Sequence, residues 1–179
     1  MKKIITFLMI TFLVLAFTPF ASYTGEMGTP VAHSKDFEKM KGLVGVWNGK
    51  GMDMGKEMEQ LKVIYELTSA GNAIVERFAA GTPHEMVTVY HDFNGKLTMT
   101  HYCSLGNQPH MELRNPGENN NMTFELSEKV PGLVSLNEPH MHALAVDFDG
   151  KDSITQTWTL YDNGVKKNSI VVNLVRTKI

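Results

Sequence analysis

A single cysteine, Cys103, serves the whole 179-residue chain. An internal disulfide is therefore excluded, and an exported protein with one thiol must bury it, ligate with it or use it. An excess of either charge is missing too: 17 Lys and Arg against 19 Asp and Glu leave a net charge of −2. No basic stripe points to nucleic acid, and no acidic block points to a disordered tail. One apolar run, from Ile4 to Phe17, stands out. It is too short to favour a membrane span. No long helical period occurs. Also missing are a phosphate loop, a dinucleotide fingerprint, a nucleophile elbow and a His-Glu-x-x-His helix. The common catalytic signatures thus give no lead, and what remains is a short, well-mixed, methionine-rich chain with 12 methionines.

The beginning reads as a secretory signal. Met1-Lys2-Lys3 supplies the positive start, the apolar run follows, and Ala21-Ser22 supplies small residues. The expectation is a signal peptide over 1–22, a flexible leader over 23–34 and one domain over 35–179. Such a protein is periplasmic or secreted, with no stable membrane span once the signal is cleaved. About 155 residues then remain, enough for one hydrophobic core.

Asp36 to Leu43 predicts a short helix, with Ser34 or Asp36 as its cap and Gly42 near its end. Beyond it the chain alternates. Strands are predicted over 44–51, 57–68, 72–80, 85–93, 96–104, 107–114, 120–127, 139–149, 152–161 and 165–177. Asn94-Gly95, Asp149-Gly150 and Asn163-Gly164 are among the turns that separate them. Short strands at regular spacing predict an all-β fold, an antiparallel meander of about ten strands closing into a barrel. Asn94-Gly95 favours a two-residue type I′ hairpin. That turn pairs Phe93 with Lys96, Tyr90 with Met99, Thr88 with His101 and Met86 with Cys103, and these residues apart from Phe93 and Lys96 form the expected inner face.

Gly45-Val46-Trp47 is similar to the G-x-W start of lipocalins and other calycin barrels. There the tryptophan closes the barrel bottom, often against an arginine of the last strand, and Arg176 stands where that arginine is expected. The strings His84-Glu85-Met86, Thr88, Tyr90-His91, Thr100-His101-Tyr102-Cys103, Gly106-Asn107-Gln108-Pro109 and His140-Met141-His142 resemble a family of exported bacterial proteins of unknown function. The resemblance implies a lipocalin-like barrel and no established activity. Fatty-acid-binding and nitrobindin-like barrels are the nearest analogues, and the latter hold haem through a histidine.

His140-Met141-His142 heads an alternating run, so both imidazoles are expected on the face of Leu144, Val146 and Phe148. With His101 they compose a candidate metal site, and Cys103 or Glu85 offers a further ligand. Imidazole suits zinc or copper, and three histidines leave a fourth position open. A second candidate is an interior pocket. Tyr90, Met99, Met111 and Trp158 line it, and His101, Asn107 and Gln156 supply its polar groups. The same residues also serve as packed core or as a self-satisfied polar cluster. The functional expectation is a barrel that binds a small apolar ligand, a metal or haem inside. A metal-dependent enzyme that activates water at the three histidines is the alternative, and a structural barrel without a site is the third. Expected partners are a small molecule or a metal ion, with no nucleic acid.

Overall fold

A computed structural model describes residues 32–53, 56–116 and 120–178. The expected signal peptide and most of the expected leader lie outside the described residues. Among the described residues one α-helix, α1 (Lys35–Lys41), precedes ten strands. They are β1 (Gly45–Asp53), β2 (Lys56–Thr68), β3 (Ala73–Phe78), β4 (Met86–Phe93), β5 (Lys96–Tyr102), β6 (His110–Leu113), β7 (Asn121–Leu126), β8 (His140–Gly150), β9 (Ser153–Asp162) and β10 (Val165–Arg176). Each strand pairs with its neighbours in sequence, and β10 returns to β1, so the barrel is closed. All pairings are antiparallel. Closure leaves no free sheet edge. No helix among the described residues is long and apolar enough to cross a membrane.

The Asn94-Gly95 hairpin forms as its chemistry dictates. Asn94 and Gly95 have φ of 52° and 74°, the pair of positive values a type I′ turn requires. Phe93 pairs with Lys96, Tyr90 with Met99 and Thr88 with His101. Thr88, Tyr90, Met99 and His101 are buried inside the barrel, and Cys103 follows beyond the last rung.

The two barrel ends differ. At one end α1 forms the plug. Ser34 caps it by accepting from the Phe37 N–H at 3.0 Å, a contact worth about 1 kcal/mol. Asp92 of β4 in turn accepts from the Ser34 N–H and hydroxyl. Phe37 and Met40 turn into the core with Trp47, all fully buried. Arg176 lies 4.3 Å above the Trp47 ring and donates to the carbonyls of Val44 and Gly42, which is the closure expected of Gly45-Val46-Trp47 and Arg176. The other end carries the connections 79–85, 103–109, 127–139 and 163–164. His101, Cys103 and His140 lie at that looped end.

β8 corrects one expectation. The strand carries an extra residue against β9: Met141 pairs with Leu160, yet Ala143 pairs with Thr159, so His142 is a bulge. A bulge shifts the alternation by one. Met141 therefore joins Leu144 and Val146 in the core. His140 pairs with Tyr161, and both histidines stand on the outer face rather than beside Leu144.

Candidate functional site

Among the described residues the barrel interior carries two groups of polar side chains, a connected set around Glu76 and Gln156 and the Thr88–His101 pair. Alternation along β3 places Ile74, Glu76 and Phe78 on the inner face, so a carboxyl group enters the core. Glu76 is fully buried. Its Oε2 accepts from the Tyr90 hydroxyl at 2.5 Å and its Oε1 from the Gln156 amide at 2.8 Å. The Gln156 amide also donates to the Tyr65 hydroxyl at 2.5 Å, and Gln156 Oε1 accepts from the Trp158 indole N–H at 3.3 Å. Burial raises the Glu76 pKa, and hydrogen bonds from Gln156, Tyr90 and Tyr65 pull it part of the way back. Burial, followed by the Glu76 charge, pushes both tyrosines well above their ordinary value.

Trp158 links this set to the looped end. Its ring centroid lies 4.5 Å from that of His101. His101 is 1 % exposed. Its Nδ1 lies 2.9 Å from the Thr88 hydroxyl oxygen, whereas its Nε2 is buried with no hydrogen-bond partner. Burial lowers the His101 pKa to about 4, so the ring is neutral at pH 7. A neutral imidazole has one N–H and one lone pair. A buried N–H without an acceptor is the rarer and costlier orphan. The favoured tautomer therefore donates from Nδ1 to Thr88 and leaves the Nε2 lone pair free.

Tyr90, Met99, Met111 and Trp158 are all buried inside the barrel, as their places in the strands predict. Asn107 is not among them. It lies in the 103–109 connection, where its amide donates to the Pro139 carbonyl at 2.8 Å and its Oδ1 is buried without a partner. Here the connections 103–109 and 127–139 enclose a cleft of about 250 Å³, lined by Leu105, Asn107, Gln108, Gly132, Val134 and Pro139 among others. Gly132 permits the close approach: its φ is +70°, and a Cβ there would fall 2.2 Å from the Gln108 carbonyl oxygen.

The expected metal set of His101, His140, His142 and Cys103 is not brought to one point. The bulge sends His140 and His142 to the outer face while His101 faces in. Among the described residues no group of three or more His, Cys, Asp or Glu is placed to hold a metal ion. The Cys103 thiol is buried, and burial raises its pKa, which disfavours the thiolate a metal needs. Glu85 is held elsewhere. It makes a two-point contact with Arg77 and accepts from the Gly81 N–H, and the Arg77 hydrogen bond is the main cause of its lowered pKa. Glu76 is the interior group that motif reasoning passes over. Its signal is an acid at i+2 from Ile74 and i−2 from Phe78 in a predicted strand.

Neither protein-family models nor curated proteins match the sequence. Solved structures do match its shape. One is the crystal structure of Rv2717c from M. tuberculosis, with TM-score 0.55 and 14% identity, covering 82% of this chain and 100% of that one. Another is a protein of unknown function from the DUF3598 family of Nostoc punctiforme PCC 73102, with TM-score 0.54 and 15% identity. That match covers 84% of this chain and 53% of the other, so the chain spans about half of the Nostoc protein. At these identities the similarity is one of fold: a ten-stranded barrel shared with proteins of no stated activity.

Proposed function

We propose that the protein is a binding barrel that takes a small, mainly apolar ligand at its looped end, inside the wall, with His101 Nε2 as the polar contact. One observation carries this reading: a buried, neutral imidazole with a free nitrogen, held in one orientation by Thr88 and flanked by Trp158. The rest of the interior polar set supports it by contrast. Glu76, Tyr65, Tyr90 and Gln156 satisfy one another, whereas His101 Nε2, among the described residues, faces the interior with no partner. A hydrogen-bond donor on an apolar molecule fits that lone pair, and so does a metal held by an organic ligand, as in haem. On this reading a ligand enters between the 103–109 and 127–139 connections, where the Asn107 cleft lies. In this reading the protein works outside the cytoplasm, in keeping with its signal-like start.

Titration of the tag-free protein with haemin and with N-phenyl-1-naphthylamine tests the proposal. Tryptophan fluorescence and the Soret band are the readouts. Saturable 1:1 binding of at least one probe is expected, and His101→Ala should weaken it about tenfold, equal to 1.4 kcal/mol. Equal binding by the variant, or no saturable binding of either probe to the wild type, overturns the reading.

A further inference from the structure

On the outer wall at the looped end, His140 and His142 sit side by side. The β8 bulge puts two residues opposite one on β9, and this turns both rings to one face. His140 Nε2 and His142 Nδ1 are 3.2 Å apart. Two nitrogens bound tetrahedrally to one zinc at 2.0–2.1 Å are separated by about 3.3 Å. The nitrogen spacing therefore matches that of two zinc ligands, and in the metal-free pair a hydrogen bond spans it.

The surroundings prepare the pair. His140 Nδ1 lies 2.7 Å from the Glu138 carbonyl oxygen. A carbonyl only accepts, so that nitrogen carries the proton and Nε2 presents its lone pair. A backbone carbonyl on the far nitrogen is the usual support of a metal-binding histidine. His142 stacks flat on Tyr161, with centroids 3.9 Å apart and planes at 12°, which fixes its ring. His140 is 1 % exposed, while His142 is half-buried and open to an arriving ion.

We infer that His140 Nε2 and His142 Nδ1 form a two-histidine site for a divalent transition-metal ion of the zinc type, on the outside of the barrel, with water completing the coordination. Binding needs no net loss of protons from neutral rings. The proton that His142 Nδ1 shares with His140 moves, through solvent, to His142 Nε2, and both facing lone pairs then go to the metal. This site does not depend on His101 or on an interior ligand.

Calorimetric titration of the tag-free chain with Zn(II) tests it, combined with histidine side-chain nitrogen NMR. The wild type should bind one equivalent, with the largest shifts at His140 Nε2 and His142 Nδ1. Donors joined on one strand act with high effective concentration, so His142→Ala should weaken binding about a hundredfold. Half-buried His142 can be truncated without emptying the core, and an unchanged thermal midpoint confirms that the variant is folded. His101→Ala and His110→Ala should bind zinc as the wild type does. Unchanged affinity in His142→Ala overturns the inference, as do shifts confined to other histidines or no binding at millimolar zinc.

Discussion

His101 and Glu76 are buried titratable groups with opposite demands on pH. His101 ionises at about 4 in the folded barrel against 6.5 for an ordinary imidazole. Between those values the unfolded chain binds more protons, so stability rises with pH across that window and is lost as pH falls from 6.5 to 4. A shift of that size corresponds to about 3 kcal/mol once pH is below both values. Glu76 works in reverse. Its folded pKa lies above 4.5, so its contribution falls as pH rises through the interval above 4.5. Denaturant unfolding from pH 4 to 7 should show the histidine slope in the wild type and a flatter curve in His101→Gln. Parallel curves for the two proteins would show that His101 keeps an ordinary pKa.

Turns and bulges decide how the strands are read. The β4–β5 register is legible because Asn94-Gly95 accepts two positive φ values at low cost and so fixes which residues face each other. Ten strands and one helix follow from alternation and turn spacing. The faces of His140 and His142 are not legible in that way. A bulge is a relation between two strands, and nothing within His140-Met141-His142 marks which residue is surplus to β9. Asn107 stands in the 103–109 connection and not among the interior polar groups for a related reason, because a loop has no alternation to orient it. Glu76 is readable in principle, since the β3 pattern puts it between Ile74 and Phe78, but an acid inside an apolar strand is easily taken as an edge position.

Two glycines separate the ways an element can need this residue. Gly95 has φ of +74° and open space where a Cβ would stand, so Gly95→Ala incurs only the backbone penalty, about 1–2 kcal/mol. At Gly49 a Cβ would lie 2.0 Å from the Asn173 carbonyl oxygen, across the β1–β10 seam that closes the barrel. Gly49→Ala must push those strands apart. Thermal unfolding should therefore rank Gly49→Ala well below Gly95→Ala, and the reverse order would mean that the seam yields more easily than the turn.

At the largest scale described, the barrel has one end plugged and one end looped. Helix α1, Trp47 and Arg176 hold the plug. Arg176 also pairs with Asp152 at 3.3 Å, so one side chain ties the start of β1 to the end of β10 and to the β8–β9 turn. Removing it in Arg176→Ala should lower stability by about 2 kcal/mol. Arg176→Lys should restore little, because lysine cannot stack and reach two carbonyls together. Full rescue by lysine in chemical denaturation would reduce the role of Arg176 to its charge. The ligand binding proposed for the looped end should survive either change once the protein is folded.

Cys103 sits at that looped end as the chain's one thiol, buried and protonated. Its chemistry is therefore silent while the loops are shut. Labelling by a disulfide reagent should be slow in the folded protein, and faster labelling on mild destabilisation would report opening of the 103–109 connection. The thiol is thus a built-in reporter for the 103–109 connection, with no second thiol in the chain to blur the signal.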